Sequence, residues 1–196
     1  MEHTFESFIS SFIDNKVGIA DDFLPVSLTS GLKENLIELY TSKQLHSAGT
    51  GNTEVSHDKK FRSDIIHWLD RENGNPAESA FFDHMDRFVD YLNATCYTGI
   101  TGYEFHYTLY PTGSFYKRHL DQFRNDDNRK YSMIMYLNEN WELVDGGELC
   151  IYHANREQRI SPNNGKTVFF KSCELEHEVL VTNKPRMSVT GWLKTG

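Results

Sequence analysis

Positive charge is in short supply in this chain: 20 Lys and Arg stand against 28 Asp and Glu, a formal net charge of -8 at neutral pH. A protein whose main partner is a DNA duplex or an RNA backbone neutralises phosphates with Lys and Arg. Nucleic acid is therefore not expected as a partner, whereas a small anion held by one buried cation remains open. Cysteine is scarce as well. Cys96, Cys150 and Cys173 are odd in number and far apart, which suits reduced packing thiols and not a disulfide framework. No apolar run approaches the roughly 20 residues that cross a bilayer. Met1-Glu2-His3-Thr4-Phe5-Glu6 has neither the basic nor the apolar region of a signal peptide, so a soluble, cytoplasmic protein with no membrane partner is expected. Internal repeats, low-complexity tracts and Pro/Ser-rich linkers are missing too, and the chain is expected to form one domain over residues 1–196.

What is present is ordinary globular material, 38% hydrophobic and 24% charged, enough to bury a substantial core. Phe5, Phe8, Ile9, Phe12 and Ile13 recur at helical spacing, and Leu28, Leu32, Leu36 and Tyr40 suggest a second helix after Pro25. A third begins at Asn75, which can cap. Pro76 suits its first turn, Glu78 completes a capping-box-like arrangement, and Phe81, Met85, Phe88 and Leu92 form its apolar face. After Asn93 the period changes. Residues 103–110, 130–138, 148–153, 166–171, 177–182 and 186–193 are short, rich in aromatic and β-branched residues, and separated by turns such as Pro162-Asn163-Asn164-Gly165. The pattern predicts a mainly β sandwich or barrel buttressed by about three helices, with helical support over about residues 1–95 and the β core over about 100–196.

Within Tyr116-Lys117-Arg118-His119-Leu120-Asp121-Gln122-Phe123, a strand would turn His119 and Asp121 to one face and pack Leu120 on the other. That geometry can chelate a metal; a hydrogen-bonded polar strand end would look the same. His84-Met85-Asp86 is an internal control, because on the third helix positions two apart diverge by roughly 200°. That pair is expected at the surface. Farther on, His177 opens a later strand and Arg186 the last one. There Arg186, Ser188, Thr190 and Trp192 share a face, and a buried guanidinium calls for an anion, supplied by a protein carboxylate or by a ligand. Two histidines and a carboxylate on one face of a metal make the triad of non-heme Fe(II) oxygenases, and a nearby arginine can hold the far carboxylate of a 2-oxo diacid.

The ordered set His119-x-Asp121, His177 and Arg186 resembles the 2-oxoglutarate and Fe(II)-dependent dioxygenases. The likeness is to the prolyl 4-hydroxylases in particular, those related to the animal oxygen sensors and their bacterial counterparts. Tyr110-Pro111, Gly113, Tyr116, Tyr136-Leu137-Asn138, Trp141, Gly146-Gly147-Glu148-Leu149, Phe169-Phe170 and Trp192 extend the resemblance, as does Arg62-Ser63-Asp64 with Trp68, where serine stands in place of the family's usual glycine.

The resemblance implies a double-stranded β-helix of jelly-roll or cupin type. It implies Fe(II) on His119, Asp121 and His177, with 2-oxoglutarate and dioxygen as cosubstrates and ascorbate as a reductant. Arg186, Tyr136, Tyr110 and Thr190 would bind 2-oxoglutarate. Asp64 would order a water near the metal, and Arg62, Tyr116 and Trp192 would border the substrate. The implied reaction hydroxylates a prolyl residue of a protein, with release of succinate and carbon dioxide; a translation factor or ribosomal protein is the candidate partner. The same chemistry on a small molecule, or a non-catalytic barrel holding zinc or nickel, stays open. The polar, glycine-containing segment 47–60 is expected to be a mobile substrate loop.

Overall fold

The computed structural model describes residues 2–49, 60–122 and 127–196. Segment 50–59, the greater part of the expected substrate loop, lies outside the described residues. The three helices form where apolar spacing places them. Helix α1 (Glu2–Asn15) buries Phe5, Phe8 and Ile9, while Ile13 at its end stays exposed. Helix α2 (Val26–Thr41) follows Pro25, whose carbonyl accepts from the N–H groups of Leu28 and Thr29; Leu32 and Leu36 are buried and Tyr40 is exposed. Helix α3 (Pro76–Cys96) is capped by Asn75, whose side chain accepts from the N–H groups of Ala77 and Glu78. Glu78 does not complete a reciprocal box. Its carboxylate turns inward to accept from Asn35 Nδ2, Asn73 Nδ2 and the Asp70 N–H, because three donors hold it better than one backbone amide.

Among the described residues, eleven strands build two antiparallel sheets: β1 (Val17–Ala20), β2 (His46–Ser47), β3 (Ile65–Trp68), β4 (Gly102–Tyr110), β5 (Tyr116–His119), β6 (Arg129–Tyr136), β7 (Leu149–Tyr152), β8 (Glu157–Ile160), β9 (Thr167–Lys171), β10 (Glu176–Val179) and β11 (Arg186–Lys194). The larger sheet runs β1-β9-β6-β11-β4-β3-β2 and the smaller β5-β10-β7-β8, giving a mainly β, jelly-roll-like core with three helices. Alternation divides the larger sheet cleanly. Phe105, Tyr107, Met133, Met135, Phe169 and Val189 pack with the helices. Tyr110, Ile134, Tyr136, Val168 and Phe170 pack toward the smaller sheet with Leu149, Ile151 and Val179. Both faces are therefore covered, one by the helices and one by the smaller sheet.

Several sequence expectations are corrected. Strands β1, β2 and β3 come from the first 95 residues, which supply three strands of the larger sheet as well as the helices. They are two to four residues long, too short to show a period. Strand β8 was also unforeseen, since Glu157-Gln158-Arg159-Ile160 is polar and sits at a sheet edge. Strand β5 ends at His119, leaving Asp121 on the bend beyond it and Leu120 exposed instead of packed. His84 is buried, with its ring edge-on to Phe5 and Phe23, whereas Asp86 is a surface partner of Arg71 and Tyr103. The two do diverge, but only Asp86 faces solvent, because His84 lies on the same side of α3 as Phe81 and Phe88. Of the cysteines only Cys150 is a packed thiol; Cys96 and Cys173 are exposed.

Candidate active site

Strands β5 and β10 pair with His119 opposite His177, which brings the two imidazoles to a ring separation of 4.3 Å. The chain then bends so that Asp121 reaches the same point. One ligand atom from each of the three lies within 4.8 Å of the others, with Nε2 of His119 3.4 Å from Asp121 Oδ1 and Nε2 of His177 3.6 Å from Oδ2. Both histidines turn Nδ1 to a backbone carbonyl, His119 to Lys117 at 2.7 Å and His177 to Leu175 at 3.2 Å. A carbonyl only accepts, so Nδ1 carries the proton and Nε2 presents its lone pair to the shared point, the tautomer a metal requires. Ser132 Oγ donates to Asp121 Oδ2 at 2.7 Å and ties the carboxylate to β6. Burial alone would raise the Asp121 carboxyl; the His177 and His119 imidazoles and the Ser132 hydroxyl outweigh it and hold the group well below the ordinary carboxylate range. Burial pushes the His177 imidazole down to about 4, so it is neutral at physiological pH.

Deeper in the same sandwich lies Arg186, 1% exposed at the start of β11. Its Nε donates to the Gly147 carbonyl at 2.9 Å. Gly147 has φ +66°, and a Cβ there would stand 3.2 Å from Arg186 Cδ, so glycine is what lets this backbone approach. The guanidinium sits between the rings of Tyr110 and Tyr136, 5.0 and 4.9 Å from their centroids. Arg186 Nη2 and the Tyr136 hydroxyl are buried without a hydrogen-bond partner. Burial pushes the Tyr136 phenol upward, so it remains a donor. Two orphaned donors, each costing about 1–3 kcal/mol, make a cradle for an anionic acceptor. The donor set thus fits a carboxylate beside a metal.

A cavity of about 490 Å³ joins the two ends, lined by His119, Asp121, His177, Arg186, Tyr110, Thr190, Trp192, Tyr116 and Arg62 among others. Tyr136 is not among the lining residues and lies behind Arg186, its ring centroid 4.9 Å from the guanidinium. Asp64, 2% exposed, lies behind the wall and accepts from Arg62 Nε and Nη2. Arg62 also donates to the Gly49 carbonyl at 3.1 Å and lies 4.2 Å from the Tyr116 ring centroid. Sequence reasoning missed His106, Thr108 and Arg129, which line the cavity too. Alternation along β4 puts 106, 108 and 110 on one face and was a usable signal for the first two. Arg129, stacked 3.4 Å over Trp192 and paired with Glu104 at 2.8 Å, had no local signal, because its partners lie on other strands.

Comparison with known proteins follows this geometry. A family model described as the 2OG-Fe(II) oxygenase superfamily matches residues 105–194, the stretch holding all three candidate ligands and Arg186. The chain is similar to the crystal structure of a prolyl-4-hydroxylase from Pseudomonas putida, 32% identical with TM-score 0.88, covering 98% of this chain and 99% of that one. It is also similar to a prolyl hydroxylase of Trichoplax adhaerens solved in complex with a hypoxia inducible factor oxygen degradation domain peptide fragment, 26% identical with TM-score 0.89 over 98% and 90% of the two chains. Among curated proteins, the hypoxia-inducible factor prolyl hydroxylase of Caenorhabditis elegans is 28% identical over 98% of this chain, and Egl nine homolog 1 of Homo sapiens 27% over 91%. This chain spans 28% and 44% of those two proteins' lengths.

Proposed function

The chain belongs to the 2OG-Fe(II) oxygenase superfamily as a homologue of the prolyl hydroxylases, and from that membership we propose that it hydroxylates a prolyl residue in a protein substrate. His119, Asp121 and His177 hold Fe(II). Arg186 and Tyr136 receive the distal carboxylate of 2-oxoglutarate, with Tyr110 and Thr190 along its length. The observation that carries this reading is the pair of partnerless donors, Arg186 Nη2 and Tyr136 Oη, buried beside the same cavity as the triad. A non-catalytic metal site has no use for them.

Bound together, Fe(II), 2-oxoglutarate and dioxygen supply the oxidation that converts a substrate C–H to C–OH with release of succinate and carbon dioxide; ascorbate serves as reductant. The protein's own contribution is placement. The Nδ1–H bonds of His119 and His177 and the Ser132 bond to Asp121 fix the direction of each ligand atom. Arg186, held by Gly147, would orient the cosubstrate by its distal carboxylate. Trp192, Arg62 and Tyr116 line the cavity and would border the substrate. Asp64, whose oxygens are both engaged by Arg62, sets the position of that guanidinium from behind the wall, so the water-ordering role that the resemblance implied for it is not carried over.

A protein substrate is supported by the Trichoplax adhaerens relative, whose structure holds a peptide fragment. A translation factor or a ribosomal protein is the class to examine first. Protein loaded anaerobically with Fe(II) and 2-oxoglutarate is exposed to oxygen in a protein extract, and mass spectrometry looks for prolines that gain one oxygen. Succinate release with no modified proline would move the substrate to small molecules.

A further inference from the structure

One buried ring in the cavity is left unused by this mechanism. His106 of β4 stands in register between Trp68 of β3 and Thr190 of β11, and Thr190 in turn faces Ile134 of β6. This row crosses the cavity floor between the Arg186 end of β11 and the Trp192 rim. The ring is 3% exposed, lines the cavity, meets Trp68 edge-on at 5.0 Å and tilts against Trp192 at 5.6 Å.

Its tautomer follows from its neighbours. Nδ1 lies 2.9 Å from Thr108 Oγ1 and 3.2 Å from the Tyr107 carbonyl. The carbonyl can only accept and the hydroxyl can accept, so a proton on Nδ1 satisfies both, whereas a bare Nδ1 would set two lone pairs against each other. Nε2 is therefore a bare acceptor, and it has no hydrogen-bond partner among the described residues. Burial, together with the nearby Arg62, keeps the ring neutral and its lone pair available.

We propose that His106 is a substrate-reading residue whose Nε2 accepts a hydrogen bond from a backbone N–H flanking the target proline. The proposal rests on the prolyl-hydroxylase reading above. It also identifies the donor by elimination. At neutral pH 2-oxoglutarate carries only carboxylate and keto oxygens, all acceptors. Proline itself has no N–H once it is in a chain. Among the groups that every peptide shares, what remains is the amide of a neighbouring residue, and the ring of His106 lies against both Trp68 and Trp192. This makes the site selective for a peptide over a free small molecule that lacks an amide donor at that point.

The test uses a degenerate peptide library with one central proline and randomised flanks, assayed with the wild-type protein and His106→Phe, which keeps an aromatic ring but has no acceptor. The best peptide is then remade with each flanking amide N-methylated in turn. One methylation is expected to lower wild-type kcat/KM by about 10-fold, through KM, as loss of a single buried hydrogen bond does, and to leave His106→Phe unchanged. His106→Gln, which returns an acceptor, is expected to regain part of the loss, and the KM for 2-oxoglutarate is expected to stay constant throughout. Equal penalties in wild type and His106→Phe at every position, or a His106→Phe defect that falls on 2-oxoglutarate KM, would overturn the assignment. His106→Leu gives the same comparison if the phenylalanine variant does not fold. A wild-type protein that releases succinate yet modifies no library peptide fails the prolyl reading itself, and His106 with it.

Discussion

Tyr116 lies flat against His119, ring centroids 3.6 Å apart and planes within 17° of parallel, and Arg62 covers the opposite face of the phenol. The resulting stack of guanidinium, phenol and imidazole restricts rotation of a proposed metal ligand that is also held by its Nδ1 bond to the Lys117 carbonyl. Tyr116→Leu is expected to weaken divalent metal binding by about 10-fold, in the range typical of groups that orient ligands, while Tyr116→Phe binds as the wild type. Anaerobic titration with Fe(II), or with Mn(II) as a redox-inert stand-in, measures both. Unchanged affinity in the leucine variant would show that the stack does not hold the ring.

If Arg186 and Tyr136 await a carboxylate, 2-oxoglutarate should stabilise the fold. At about 100 times its dissociation constant a ligand adds about 2.7 kcal/mol, visible as a rise in Tm. Arg186→Gln is expected to abolish that rise and to increase KM for 2-oxoglutarate at least 100-fold; Tyr136→Phe, losing one hydrogen bond, is expected to increase it about 10-fold. A Tm that responds equally in all three proteins would mean that the diacid binds elsewhere.

Acid should destabilise the protein between about pH 6.5 and pH 4. Burial pushes the imidazoles of His84 and His106 from the ordinary value of 6.5 down to about 4. The unfolded chain takes up these protons near pH 6.5 and the folded chain only near 4. The stability they contribute is thus complete above 6.5, declines as pH falls through this window, and is gone below 4. Each is worth on the order of 3 kcal/mol. His84 Nε2 is buried without a partner among Phe5 and Phe23, so His84→Phe is expected to raise the urea midpoint at pH 5 by more than at pH 7. An equal change at both values would remove His84 from the titration.

Glu78 is the polar joint between α2, α3 and the turn before α3. It is 1% exposed and accepts from Asn35, Asn73 and the Asp70 N–H, while Asn35 also donates to Tyr107 Oη of β4 at 3.0 Å. Glu78→Ala leaves three amide donors without their acceptor and is expected to cost about 1–3 kcal/mol in urea unfolding, with no change in the affinity of the protein for 2-oxoglutarate. A loss below about 1 kcal/mol would mean that water replaces the carboxylate.

The helices were legible because their apolar residues repeat over several turns, and Asn75-Pro76 marks one start on its own. The long strands were legible for a similar reason, since β4, β6 and β11 run for eight or nine residues and are rich in aromatic and other apolar side chains. Strands β1, β2, β3 and β8 were not, because they exist through pairing with neighbours and offer too few residues for a period. His84 was misplaced because a histidine beside an aspartate looks solvated until the phenylalanine cluster around it is assembled.

The sequence by itself determined which atoms are available: two imidazoles, a carboxylate and a guanidinium, in an order that resembles one enzyme family, and a charge balance unsuited to nucleic acid. Tertiary structure decided how they meet. Only the antiparallel register of β5 with β10 sets His119 against His177, only the bend after β5 returns Asp121 to them, and only the closing of the two sheets leaves Arg186 and Tyr136 with donors unpaired. Those are relations between residues far apart in the chain, fixed by hydrogen-bond register and burial, and no local pattern encodes them.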